Sequence, residues 1–166
     1  MHEPFLLSRR RLLALSSLAL IAGISGCTTV AVLKPEPGSA GDETVDALPL
    51  VNALRAKSGL SALVAEPKAR SAALAQAGRM AKSGKMTHLI GFNDSFLERM
   101  KGGDVKLPAA ENIAAGQDSV ARAVQAWIDS PKHLHNMLGN YSGLGVAIAR
   151  NPASGNRPYW AMVLSS

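Results

Sequence analysis

The spacing of apolar positions changes along this chain, and each change marks an element. Leu50, Val51 and Leu54 share one face and Gly59 follows them, which predicts a helix capped by Asp46 with Pro49 tolerated in its first turn. Glu66-Pro67 opens a second helix that runs to Ser83. Ala69, Ala73, Ala77, Met80 and Ala81 recur in it at helical spacing, and Gly84 suits the position just past its end. Because that face is made of small side chains, something large is expected to pack closely on it. Asn93 or Asp94 caps a shorter helix carrying Phe96, Leu97 and Met100, broken by Gly102-Gly103. Asp118 caps another, with Val120, Val124, Trp127 and Ile128, ended by Pro131. Then the period drops to two. Leu144, Val146 and Ile148 alternate with Gly145, Ala147 and Ala149, turn formers fill 151–158, and a second apolar run spans Tyr159 to Leu164, which predicts an antiparallel hairpin with a long loop. Helices first and a hairpin last predict an α+β layered fold rather than alternating βαβ units.

The N-terminal segment follows a different logic. Arg9, Arg10 and Arg11 precede an uncharged apolar run from Leu12 to Ile24, 13 residues long, which is too short to span a bilayer as a helix. The run ends in Ile24-Ser25-Gly26-Cys27, and small residues before a lone cysteine are similar to the lipobox of bacterial lipoproteins. Residues 1–27 therefore read as an export signal, with Arg9 and Arg10 as a twin-arginine pair and Cys27 as the lipidated residue that anchors the chain in a membrane of the cell envelope. Pro35, Pro37, Gly38, Ser39 and Gly41 make 28–45 a flexible tether, leaving 46–166 as one compact domain.

Composition narrows the functional classes. The whole chain carries a net charge of +6, and removal of the signal takes away three arginines and one glutamate, leaving +4. No run of five like charges occurs, and aromatic residues are 4% of the chain, so a nucleic-acid partner is not expected. One cysteine excludes both an internal disulfide framework and a cysteine-built zinc finger.

Chemistry beyond the signal is confined to a few residues. His88 lies in a predicted loop, Glu111 precedes an apolar stretch, and His133 and His135 follow Ser130-Pro131. Two residues apart on a helical turn, His133 and His135 cannot face the same way, so at most one joins His88 in a shared site. Two neutral imidazoles and a carboxylate suit Zn²⁺ or a similar divalent cation, and the same groups suit acid–base work without a metal. Spacing alone leaves both open, because no His-Glu-x-x-His, Gly-x-Ser-x-Gly or phosphate-binding glycine loop is present. Trp127 reads as a core anchor, and Asn52 and Arg55 read as a polar helix face, with Arg55 paired to an acid.

Ordered phrases then shift the balance. Leu50-Val51-Asn52-Ala53-Leu54-Arg55-Ala56, the alanine-rich stretch Ala72 to Ser83, Met86-Thr87-His88, Glu111-Asn112-Ile113-Ala114, Ala126 to His133 with Asn136-Met137-Leu138, and Gly143 to Ala147 with Tyr159-Trp160 follow one another as they do in the CAP superfamily. The chain resembles that family, which takes in cysteine-rich secretory, antigen 5 and pathogenesis-related 1 proteins, over about 115 residues. The resemblance implies an α-β-α sandwich with a cleft in which two histidines and acidic residues converge, several members binding a divalent metal there. By position these are His88, Glu111 and His133, with Asn112, Asp129 and Ser130 in the ligand cleft. Asp129 and Ser130 stand where members often carry a second glutamate, Ala110 replaces a usual glycine, and Leu134 a frequent arginine.

The expected function is a lipid-anchored module that binds an extended ligand, whether lipid, peptidoglycan-derived, glycan or peptide. Two alternatives are an envelope hydrolase, with Glu111 as general base toward a metal-bound water or with His88 and Glu111 activating Ser130 or a water, and a non-catalytic structural lipoprotein. Binding is favoured over catalysis because no nucleophile elbow or complete zinc-protease motif is present.

Overall fold

A computed structural model describes residues 37–166 apart from Asn93. The export signal, Arg9, Arg10, Cys27 and residues 28–36 of the expected tether lie outside the described residues, as does the alternative cap Asn93. In chain order the elements are β1 (Ser39–Asp42), α1 (Thr44–Lys57), β2 (Val64–Ala65), α2 (Pro67–Ser83), α3 (Phe96–Gly102), β3 (Ala109–Ala115), α4 (Val120–Ile128), α5 (Pro131–Met137), β4 (Gly143–Arg150) and β5 (Tyr159–Ser165). The sheet runs β1-β4-β5-β3, antiparallel throughout, with β2 adding a short parallel pairing to β4.

Alternation along the strands sorts the core into two layers. Leu144, Val146, Trp160, Met162 and Leu164 face α1, α4 and α5, where Val51, Val124, the fully buried Trp127 and Met137 complete one apolar cluster. Ala147, Ala149, Ala161, Val163 and Ile113 face α2 and α3, against Ala73, Ala77, Met80 and Met100. The α-β-α sandwich expected from the sequence is the fold observed.

Against β4 the partner of the alanine face of α2 is small, while Tyr159 and Val163 of β5 belong to the same cluster. Gly145, Ala147 and Ala149 meet it from β4, and both surfaces are flat enough for helix and strand backbones to come together. A Cβ on Gly145 would fall on backbone atoms of Ala69 and Arg70, well inside the 3.0 Å that real Cβ atoms keep. The ends of α2 match expectation. The Glu66 side chain accepts from the Ala69 N–H, Pro67 sits at the first turn, and Gly84 adopts φ 68°.

Several boundaries differ from the sequence reading. The folded region begins by Ser39 rather than Asp46, because Ser39–Asp42 pairs with Ala147–Arg150 and Asp42 is fixed by Thr44 and by an ion pair with Arg70. Helix α1 starts at Thr44, whose buried hydroxyl accepts from the Val146 N–H, and Pro49 sits well inside it. The carbonyl that Pro49 leaves without an intrahelical donor belongs to Val45, an exposed residue, so the lost bond costs little. Ser95 and Ser119, not Asp94 and Asp118, cap α3 and α4 through their hydroxyls. Pro131 ends no helix but opens α5, its missing N–H costing nothing in a first turn. Among the described residues no helix is long and apolar enough to cross a membrane.

Candidate functional site

The site is built around two adjacent residues of β3, the strand at one edge of the sheet. Alternation sends the Glu111 side chain toward the α2–α3 layer and that of Asn112 toward the α4–α5 layer. Each fixes one histidine. Glu111, only 2% exposed, accepts from His88 Nδ1 at 2.8 Å. Asn112, fully buried, donates to the His133 carbonyl at 3.0 Å and accepts from the Asn136 amide at 2.8 Å, which pins α5 against the strand. Two segments far apart in sequence thus arrive from opposite layers at one strand edge.

Arg99 is the member of this site that sequence reasoning missed. Its guanidinium donates to Glu111 Oε2 and Oε1, each at 2.9 Å, and to the His88 carbonyl at 3.2 Å. Its Nε lies 3.4 Å from Asp94, which in turn pairs with Arg79, and the guanidinium sits 5.7 Å from the Phe96 ring centre. A signal was present in the sequence. Phe96, Arg99 and Met100 fall on one face at spacings of three and four, so Arg99 lies on the inward stripe of α3.

Burial alone pushes the Glu111 carboxyl up, but hydrogen bonds from His88 and Arg99 and their positive charges outweigh it and hold the carboxyl below its ordinary value. Glu111 is therefore a carboxylate, and the proton between it and His88 belongs to Nδ1. In neutral His88 the outward Nε2 carries a lone pair, on a ring whose side chain is 48% exposed. Burial, and secondarily the charge of nearby His88, lowers the pKa of half-buried His133, so the two imidazoles act on each other electrostatically.

These shifts set the direction of acid sensitivity. A carboxyl held low in the folded state stabilises above its unfolded value of about 4.3, and this stability is lost as pH falls through the folded value; His133 acts likewise below about 6.5. Unfolding by urea from pH 7 to 3 is expected to show stability falling in both windows. Glu111→Gln should shrink the lower one, leaving the part contributed by Asp42, where burial is likewise outweighed by Thr44 and Arg70, and His133→Ala should remove the upper. An unchanged slope in Glu111→Gln would rule out this account.

Among the described residues no side-chain hydrogen bond joins Asp129, Ser130 or His135 to Glu111 or His88. Exposed Asp129 ends α4 and accepts from Gln125 at 2.8 Å, and Ser130 precedes α5 with no capping bond. Exposed His135 lines a separate surface hollow with Pro131, Lys132 and Asn136. Asn112 is too buried to touch a ligand and acts by positioning His133. Trp127 is a core residue, as expected. Among the described residues Arg55 pairs with no acid; it is buried and donates to backbone carbonyls.

The divalent metal does not fit this arrangement. Among the described residues no group of three His, Cys, Asp or Glu side chains is placed to hold one, and both oxygens of Glu111 are already taken by Arg99. What remains is two imidazoles that sense each other electrostatically, one of them bonded to the Glu111–Arg99 ion pair. Next to it, Leu89, Gly91, Asp94, Ser95 and Glu98 line an open hollow.

The profile of the Cysteine-rich secretory protein family, CAP, matches residues 48–164. The chain belongs to the CAP family. No curated protein matches it in sequence. Among solved structures, the CAP domain here is similar to an outer surface protein of Borrelia burgdorferi at 20% identity, covering 78% of this chain and 98% of that one with a TM-score of 0.66. An extracellular protein of Bacillus anthracis containing an SCP domain is similar at 22% identity over 74% of this chain, TM-score 0.64. A cysteine-rich secretory protein of Staphylococcus aureus is similar at 17% identity over 74%, TM-score 0.57. This CAP chain spans only 40% of the Bacillus protein and 38% of the Staphylococcus protein. At these identities the likeness shows the fold.

Proposed function

We propose that this CAP protein is an exported, lipid-anchored binding module whose cleft at the β3 edge takes an extended ligand of the cell envelope. The observation that carries the binding reading is the state of Glu111. A carboxylate held by a bidentate arginine and a histidine is committed to holding the site's shape, so it is not free to act as a general base. His88 Nε2 and His133 then serve as contact points, and the hollow beginning at Leu89 extends the contact surface. The apolar run, the positive flank and Cys27 support export and anchoring by the twin-arginine route. The extracellular and outer-surface names of the Bacillus and Borrelia neighbours agree with export.

One observation favours the hydrolase as a second reading. An imidazole oriented through Nδ1 by a buried carboxylate, with Nε2 free, is the base-and-orienter half of a nucleophilic site. Among the described residues no hydroxyl completes it, since Ser130 shares no hydrogen bond with His88.

The test presents the purified full chain with isolated peptidoglycan, anionic lipid vesicles and a peptide library, and measures both retention and turnover. Retention on one of these, weakened about tenfold (about 1.4 kcal/mol) by His88→Ala and without product formation, is the expected result. Product formation that disappears in Glu111→Gln would replace binding by hydrolysis.

A further inference from the structure

Cation balance in the cleft is settled inside the chain. Four oxygens surround the Arg99 guanidinium: both of Glu111 at 2.9 Å, the His88 carbonyl at 3.2 Å and Asp94 Oδ1 at 3.4 Å. Two of the three groups are carboxylates largely shut off from water, Glu111 at 2% exposure and Asp94 at 11%. Buried carboxylates of this kind persist only with a positive charge between them. A divalent metal ion or two guanidinium groups can meet that need, and here two are in place, Arg99 on Glu111 and Asp94 and Arg79 on Asp94. The planar fork of Arg99 also matches the carboxylate of Glu111 in two parallel bonds, which a single cation cannot reproduce.

We propose that Arg99 occupies the cation position of this cleft: held by Glu111, Asp94 and the His88 carbonyl, it is the fixed counter-charge, and with it in place Glu111 is not a metal ligand. Arg99 is thereby a positioning residue. It fixes Glu111, which fixes the His88 ring through Nδ1. The inference concerns the free chain and stands whichever ligand the cleft takes. It also specifies what a neutral side chain at position 99 does. Asp94 keeps its ion pair with Arg79, but Glu111 then lacks its counter-charge beside the His88 imidazole, and mixed oxygen and nitrogen donors suit a borderline cation such as Zn²⁺.

Calorimetric titration of the full chain with zinc alone tests this, using wild type, Glu111→Gln, Arg99→Met and the double variant. Wild type and Glu111→Gln are expected to share one zinc affinity within about threefold, whatever sites elsewhere contribute. Arg99→Met should bind at least about tenfold tighter, and the double variant should lose that gain. A tenfold loss on Glu111→Gln with Arg99 intact would overturn the proposal, and so would the absence of any gain in Arg99→Met. If Arg99→Met does not fold, Arg99→Lys carries the test. Its single ammonium group cannot hold both Glu111 oxygens, so a smaller, Glu111-dependent gain is expected; zinc affinity equal to wild type overturns the idea.

Discussion

Gly145→Ala is expected to leave the protein unfolded at room temperature, or destabilised by at least about 3 kcal/mol. The added methyl meets backbone atoms of Ala69 and Arg70 rather than a side chain. A side chain can rotate away; a helix backbone cannot, so α2 must lift from β4 as a body. That movement opens the Ala69, Ala73, Ala77 and Ala81 contact along its length. The natural comparison lies on the same helix. A methyl added at Gly78 would have nothing within 4 Å, so Gly78→Ala should gain about 0.5–1 kcal/mol from helix preference alone. Urea unfolding of the pair separates the two mechanisms. Equal stabilities would show that close backbone approach does not govern this layer.

Arg55→Met carries the second large effect, a loss of about 3–5 kcal/mol. Arg55 is 2% exposed and has no carboxylate partner among the described residues. Its Nε donates to the Ser61 carbonyl at 2.9 Å, and Nη1 donates to those of Met137 and Gly139 at 2.9 and 2.8 Å. A fourth bond reaches Tyr141 at 3.4 Å. Three of these oxygens belong to the end of α5 and the turn after it, and that of Ser61 to the segment between α1 and β2. Methionine fills the volume and satisfies none of them. The same substitution loosens the segment that carries His133, so ligand retention should fall with stability. Thermal melting and retention measured on one preparation check both; a melting point unchanged within about 2 °C would contradict the capping role.

The elements legible in the sequence were those whose signals are local. Helix α2 announces itself through Glu66, Pro67, its alanine period and Gly84, and β4 and β5 through alternation. Strand β3 is silent for a physical reason. Its residues Ala110 to Ala114 are buried on both faces, so no polar alternation appears, and Glu111 and Asn112 are polar groups bonded inside the fold. Strand β1 reads as linker because Ser39-Ala40-Gly41-Asp42 joins the sheet by backbone bonds alone. Arg55 reads as a surface cation because its partners are carbonyls, which leave no trace in composition. His88 and Glu111 were recognisable as a pair, and the structure joins them. The role of Arg99 depends on which oxygens surround it, and that follows only from the folded arrangement.

Alternation along β3 carries one more consequence. Glu111 and Asn112 serve opposite layers only because they are consecutive, so the phase of this strand against Val163 and Met162 is itself part of the recognition machinery. A single inserted or deleted residue between Pro108 and Glu111 would exchange their directions, bringing an anion to the α5 carbonyl and an uncharged amide to Arg99. Length in that stretch is therefore as restrictive for the cleft as the identity of either histidine.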